Sequence, residues 1–181
     1  MKFVAHAVLG LSFALVNPVV GAAPAAPPAR AAAAASAAHV QAVQDLLGAM
    51  QAEKVLRGVA ARSRYQSQAQ RQAVFDKLAK TPPAQVYRRL APPLARVISA
   101  DTALEMTRFY QTPYGKQVVH NKYNSASQIM MPGMKTVVPP EEKKERKRAA
   151  YVKASAELAQ AQPVLEHEAF KLLQLINKEG S

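Results

Sequence analysis

The chain has 181 residues, with 24 Lys and Arg against 12 Asp and Glu, which gives a formal net charge of +12 at pH 7. It contains no cysteine, and this excludes disulfides, thiolate metal sites, a cysteine nucleophile and lipidation on cysteine. The positive excess favours anionic partners, although the same charge can serve solubility alone.

Residues 1–22 have the three zones of a secretory signal: the basic Lys2, an apolar stretch from Phe3 to Val16, and small residues before a cleavage point after Ala22 or Ala23. The apolar stretch is shorter than the roughly 20 residues that a bilayer-spanning helix needs. We therefore expect a cleaved signal rather than an uncleaved anchor, a periplasmic location, and no transmembrane segment in the mature chain. The remainder, about 160 residues, has the size of one domain.

Residues 23–38 are nearly all alanine and proline, which predicts a linker whose end can be helical. A helical domain is predicted over residues 39–138. Its apolar spacing indicates two consecutive helices that separate near Gln51, followed by a helix over Gln70–Lys80. Thr81 is expected to cap the next helix.

Pro92-Pro93 is expected to break or kink that helix. Ser99 can cap the following one, and Thr112-Pro113 is expected to begin another, whose stripe runs from Val119 to Met130. The sequence Lys135 to Val138 has strand character but is too short to build a sheet. These patterns predict an all-α fold of about six helices, with no β-sheet and with one further charged helix at the C-terminus.

That charged C-terminal helix is predicted over residues 139–181, with an ion pair between Glu142 and Arg146 and a kink at Pro163. The positive excess lies before it, because residues 39–138 hold 14 basic and 5 acidic side chains. A glutamate-rich tail behind a basic domain can fold back and mask part of the basic surface. The sequence leaves open whether it packs there.

One stretch carries a resemblance to a known family, namely Phe109-Tyr110-Gln111-Thr112-Pro113-Tyr114-Gly115-Lys116. It resembles the signature of the bacterial periplasmic family called domain of unknown function 2059, and Val43 to Val59 looks like that family's opening helices. Together the two pieces cover about half of the mature chain. The sequence departs from the pattern at Thr102, at Tyr114 and in the tail after Pro139. The resemblance implies a helical fold and export, and it implies no activity.

Residue by residue, the motif predicts a corner between two helices. Thr112 can cap the second helix, Pro113 fixes its first dihedral angle, and Gly115 leaves room for the preceding helix. Phe109 and Tyr110, with the next tyrosine, would form an aromatic cluster beneath the corner. We favour this structural interpretation over a ligand site, because the capping residue, the proline and the glycine each have a backbone role there.

No catalytic motif is present, and no cofactor or metal site is predicted. Glu166-His167-Glu168 cannot converge on one ion, because consecutive helix positions point about 100° apart. A methionine cluster could bind copper, but core packing explains it better. The cluster comprises Met130, Met131 and Met134.

The candidate anion contacts are Arg88, Arg89 and Lys116. We therefore expect a non-enzymatic envelope protein that acts through contacts with a protein partner. The alternative is a binder of anionic envelope material such as lipid headgroups, lipopolysaccharide or cell-wall polymer. Nucleic acid is not an expected partner, since aromatic residues are scarce. An enzyme would become plausible if these three residues and Asp101 or Glu105 lined one pocket.

Overall fold

The computed structural model describes residues 35–124 and 138–178, and within these ranges it contains eight α-helices and no strand. The predicted all-α fold is thus confirmed for this part of the chain. The predicted signal peptide, residues 23–34 of the linker, the methionine cluster and all but the last residue of the strand-like stretch lie outside the described residues. The helices are α1 Ala37–Ala49, α2 Glu53–Arg62, α3 Gln68–Lys80, α4 Pro83–Leu94, α5 Ala100–Gln111, α6 Pro113–Asn124, α7 Pro140–Glu145 and α8 Ala149–Lys178.

The linker predicted over residues 23–38 ends in a helix, because α1 begins at Ala37. Ser36 caps it with a side chain that accepts a hydrogen bond from the His39 amide at 3.1 Å. The predicted separation near Gln51 is confirmed. Gln51 adopts a left-handed backbone conformation with φ of 54°, which ends one helix and allows the chain to turn into the next.

The capping role predicted for Thr81 is wrong. Its hydroxyl donates a hydrogen bond to the carbonyl oxygen of Lys77 at 2.9 Å, so Thr81 closes α3, and Pro82 occupies the N-cap of α4. A threonine between two helices can bond backward to the fourth preceding carbonyl as well as forward. Pro92-Pro93 lies inside the last turn of α4, which ends at Leu94.

The core forms where α1 packs on α4 and α5, and where α8 packs on α2, α3, α4 and α5. Fully buried leucines join these helices, and each stabilises the fold by about 1.5–3 kcal/mol relative to an exposed leucine. They include Leu46, Leu47, Leu56, Leu90, Leu94 and Leu165. No helix within the described ranges has the length and hydropathy needed to cross a bilayer.

The C-terminal segment, predicted as one charged helix, forms two helices. The short α7 buries no residue, whereas α8 runs from Ala149 to Lys178 through Pro163 and contributes a buried stripe to the core. That stripe comprises Ala154, Leu158, Ala161, Leu165, Ala169, Leu172, Leu173 and Ile176. The question that the sequence leaves open is therefore answered, because α8 packs on the helices before it.

A partly buried polar contact fixes α8 against the start of α5. The Glu157 carboxylate accepts hydrogen bonds from the Ser99 amide at 2.6 Å, from the Ser99 hydroxyl at 3.0 Å and from the hydroxyl of Thr102. Burial by itself would raise the pKa of Glu157, but the hydrogen bonds from Thr102 and Ser99 outweigh it, and the pKa lies below its ordinary value. The predicted cap at Ser99 is present, because its hydroxyl accepts a hydrogen bond from the Thr102 amide. The Glu157 carboxylate adds its own hydrogen bonds at the same helix start.

Candidate anion-binding site

The α4 helix positions Arg88 and Arg89 at the protein surface. Val86 and Leu90 on the same helix are buried, and this places the intervening arginines on the outward side. The helix packs against α8, so the arginines lie beside the C-terminal half of α8. Two of the three anion contacts predicted from the sequence therefore share one surface.

Two clefts adjoin these arginines. The first, of about 230 Å³, lies between the end of α3, α4 and α8, and we call it the α3/α4 cleft. The second, of about 520 Å³, lies between α4 and α8, and we call it the α4/α8 cleft. Arg89 and Leu172 line both clefts, so the two form a continuous surface.

The clefts are strongly unbalanced in charge. Among the described residues, six basic side chains line them, against the single carboxylate of Glu168. Glu168 is itself paired, because it accepts a hydrogen bond from the Lys171 ammonium at 3.0 Å. We define the basic face as these six residues: Lys77, Lys80, Arg88, Arg89, Arg96 and Lys171.

The cations of the basic face differ in their partners. The Lys77 ammonium donates to the carbonyl oxygen of Asn177 at 2.8 Å, and no carboxylate in the described ranges forms an ion pair with it. Arg88 and Arg96 are exposed, and the side chain of neither makes a hydrogen bond or ion pair with any described residue. Their guanidinium groups therefore retain their donors for an external anion.

Apolar side chains lie beneath this charged rim. Leu172 is buried and forms the shared floor of the clefts, while Leu175 lines the α4/α8 cleft and remains 52 % exposed. The surface is thus cationic at its edge and apolar at its base.

Two other clefts have walls of balanced charge. Between α5 and α8, a cleft of about 510 Å³ sets Asp101 and Glu105 against Arg108 and Lys153. A cleft of about 270 Å³ beside the α5–α6 corner carries one lysine and one glutamate. A third cleft, beside the connection of α2 to α3, carries one cation, Arg71, and no acid. Among these clefts, the largest positive excess therefore lies at the basic face.

Lys116 lies apart from the arginines. It is exposed on α6, and it lines neither cleft of the basic face. Asp101 and Glu105 line the cleft between α5 and α8 instead. The structure does not bring these acids, Lys116 and the two arginines into one pocket, which was the condition set for an enzymatic site.

The helix corner places the motif residues as a tight joint between α5 and α6. The Thr112 hydroxyl accepts a hydrogen bond from the Gly115 amide at 2.9 Å. The Phe109 ring meets Tyr110 and Tyr114 edge to face, at 5.2 Å and 6.1 Å between centroids. Tyr151 of α8 completes the cluster at 4.8 Å from Phe109, a partner that local sequence patterns do not reveal.

The short α7 is attached to this corner by charged contacts. The Arg108 guanidinium bonds the Glu105 carboxylate at 2.8 Å and the Glu145 carboxylate at 2.6 Å, and Arg148 bridges the same two acids. The hydrogen bond from Arg108 is the main cause that lowers the pKa of Glu145. The acidic tail therefore contacts the α5–α6 corner.

A second contact of α7 involves the Tyr114 hydroxyl, which donates to the Glu142 carboxylate at 2.9 Å. Burial, together with this bond, raises the pKa of Tyr114 to about 12. The predicted pair between Glu142 and Arg146 is confirmed, with Arg146 Nε donating at 2.8 Å.

The segment Glu166-His167-Glu168, considered for metal binding, does not gather its two acids at one point. Glu166 lies 3.8 Å from Arg62, and Glu168 bonds Lys171, so the two acids around His167 point to different neighbours. Within the described ranges, no three His, Asp or Glu side chains are grouped as metal ligands would be.

Comparison of the chain with models of protein families, with curated proteins and with solved structures finds no match in any of the three. Family membership therefore remains a prediction that rests on the corner motif and the opening helices.

Sequence reasoning did not single out Lys77, Lys80, Arg96, Lys171 or Leu175 as site residues. The spacing of Lys77 and Lys80, three positions apart on α3, is a signal that they share a helix side. Nothing local, however, indicates that this side adjoins residues about a hundred positions later.

Proposed function

We propose that the protein is an exported, non-enzymatic binding protein whose basic face binds anionic material of the cell envelope. The observation that carries this proposal is the concentration of six cations and one carboxylate at two joined clefts. Clefts lined by one sign of charge focus the electric field and raise the local concentration of oppositely charged ligands.

The chemistry of the exposed arginines supports phosphate or carboxylate groups as the ligands. Arg88 and Arg96 present planar, forked donors that match the geometry of two anionic oxygens. The aliphatic parts of Lys77 and Lys171 can lie along the apolar base while their ammonium groups reach outward. An anionic surface or polymer could thus contact several cations at once.

The test uses vesicles of phosphatidylglycerol mixed into phosphatidylcholine, with sedimentation as the readout. The double variant Arg88→Ala/Arg96→Ala is expected to bind about 30-fold more weakly at low salt, since each basic residue near an anionic surface contributes about 1 kcal/mol. The matched control is Arg57→Ala/Arg64→Ala, which removes the same charge from two exposed arginines outside the clefts. Equal losses for the two double variants would contradict a localised site.

Ionic strength provides an independent readout on the unmodified mature protein. Binding that rests on charge weakens steeply between about 0.01 M and about 0.15 M salt, because the screening length falls from about 30 Å to about 8 Å. Vesicle affinity that is indifferent to salt would count against the proposal. Lys116→Ala is expected to leave binding nearly unchanged, and a loss as large as that of the arginine pair would move the site to α6.

Export is a separate part of the proposal and has its own test. Mass spectrometry of the protein purified from the periplasmic fraction is expected to show removal of residues 1–22 or 1–23. An intact N-terminus in that fraction would contradict the cleaved signal.

A protein partner is the second candidate function, and an exposed apolar side chain supports it. Leu104 is 61 % exposed on the wall of the α5/α8 cleft, beside the charges of Asp101 and Lys153. An apolar centre with a mixed-charge rim is typical of protein interfaces. Crosslinked partners recovered from the periplasm with the wild type are expected to be lost with Leu104→Arg, and retained with Leu175→Arg.

A further inference from the structure

The exposed side of α8 at the basic face combines one apolar residue with flanking lysines. Lys171, Leu175 and Lys178 follow at positions i, i+4 and i+7 and thus share one side of the helix. Leu175 is 52 % exposed although it lies in the α4/α8 cleft among cationic groups. A large apolar side chain in this position needs an apolar contact outside the chain to be buried.

The two kinds of anionic envelope material differ in this respect. A soluble polyanion offers charges to Arg88, Arg96 and Lys171, but it offers no apolar phase to Leu175. A bilayer with anionic headgroups offers both, because its acyl chains lie a few ångströms below its phosphates. Apolar residues flanked by lysines and arginines are the arrangement that binds membrane interfaces.

We propose that the α4/α8 cleft is a membrane-docking surface. Anionic lipid headgroups contact Arg88, Arg96 and Lys171, and Leu175 inserts among the upper parts of the acyl chains. This inference rests on the proposed binding of anionic material and narrows it to a lipid bilayer. The docking is peripheral, and it uses the side of α8 that flanks the stripe buried in the core.

The chain contains no tryptophan, so a single introduced tryptophan reports on its own surroundings. Leu175→Trp is expected to show a blue-shifted emission on phosphatidylglycerol vesicles, and quenching by lipids brominated on the upper acyl chain. Leu104→Trp is the matched control, because Leu104 is as exposed but lies in a cleft of balanced charge. Its emission is expected to stay unshifted.

A second pair of variants measures the contribution of the leucine. Leu175→Ser is expected to weaken vesicle binding about tenfold, whereas Leu104→Ser leaves it unchanged. Dextran sulfate serves as the soluble polyanion, and Leu175→Ser is expected to bind it as tightly as the wild type. Because both leucines are exposed, the variants are expected to retain the helical circular dichroism signal.

The outcomes separate this inference from the proposed function. If vesicles bind through Arg88 and Arg96 but the tryptophan at position 175 shows neither shift nor quenching, docking by insertion is overturned and anion binding stands. If dextran sulfate binds and vesicles do not, the lipid partner is overturned. If neither binds, both proposals fail.

Discussion

Replacing Gly115 by alanine tests the helix corner, on which the arrangement of α5 and α6 depends. A Cβ atom at this position would lie 2.0 Å from the carbonyl oxygen of Phe109 and 2.7 Å from its carbonyl carbon. The Tyr110 Cα would also be 2.7 Å away. These are backbone atoms, so a rotamer change cannot relieve the overlap, and one helix must move relative to the other.

The size of the effect follows from the required movement. Carbon atoms pack at about 3.5–4.0 Å, so relief needs a displacement of more than about 1 Å at the joint. Overpacking a well-packed site costs about 1–3 kcal/mol. We expect Gly115→Ala to lower the free energy of unfolding by about 3 kcal/mol, the upper end of that range, because the clash is with backbone.

Gly58→Ala is the matched control, because Gly58 also lies within a helix. Its added Cβ would meet only the Arg62 guanidinium at 3.4 Å, the far end of a flexible side chain. Alanine in a helix interior is more stable than glycine by about 0.5–1 kcal/mol. The two glycine-to-alanine substitutions are therefore expected to change the free energy of unfolding in opposite directions.

Urea and thermal denaturation of the mature protein, each followed by far-ultraviolet circular dichroism, measure both changes. For a domain of this size the thermal midpoint is expected to fall by about 6–12 °C for Gly115→Ala and to rise by a few degrees for Gly58→Ala. If the two variants shift in the same direction, or if Gly115→Ala is as stable as the wild type, the close approach at the corner is refuted.

Three further changes test the polar contacts. Glu157→Gln is expected to lower the free energy of unfolding by about 1.5–3 kcal/mol near neutral pH. Because the pKa of Glu157 is lowered, its contribution to the free energy of unfolding is present above pH 4.5 and is lost as the pH falls through the lowered pKa. Denaturation at stepped pH should therefore show that the difference in stability between wild type and variant disappears in acid. A constant difference would contradict this. The Tyr114 hydroxyl bond to Glu142 stabilises the fold below pH 10.0 and is lost as the pH rises towards 12. Tyr114→Phe is therefore expected to remove one phenol that titrates near pH 12 from the ultraviolet titration curve. An unchanged curve near pH 12 would refute the bond. Arg108→Ala is expected to speed amide hydrogen exchange in α7 by several-fold. Its free energy of unfolding is expected to fall by about 1 kcal/mol or less, because the Arg108 side chain is partly exposed. Unaltered exchange in α7 would argue against the attachment of α7 by charged contacts.

Local signals in the sequence predicted the helix boundaries well where a few adjacent residues determine them. The cap at Ser99 and the corner at Thr112 each involve a hydroxyl and an amide three positions later, so both can be predicted from the local sequence. The same reasoning failed at Thr81, whose hydroxyl donates backward to the Lys77 carbonyl oxygen, while α4 begins with Pro82 at its N-cap. The order of residues did not show that the helix starts one position later than a Thr81 cap requires.

The binding surface could be predicted only in part, because its members are far apart in the chain. Arg88 and Arg89 stand out as adjacent charges in the sequence, but Lys171 joins them only through the packing of α8 on α4. Likewise, Glu157 reaches Ser99 across 58 positions. A single sequence carries no record of such contacts, and the charge of one helix side gives no indication of which helix it will meet.

The tail covers part of the positive surface, as a glutamate-rich segment suggested, because Glu145 and Glu166 pair with Arg108 and Arg62, but these pairs lie away from the basic face. The acid that the tail does bring to the basic face, Glu168, already binds Lys171 of the same helix. What α8 adds to the face is Leu172 as a floor and Leu175 as an exposed apolar group. Since α8 also buries a stripe of side chains in the core, removing the tail would unfold the site rather than uncover it. The tail therefore builds the binding surface, and substitutions at single positions are the changes that can probe it.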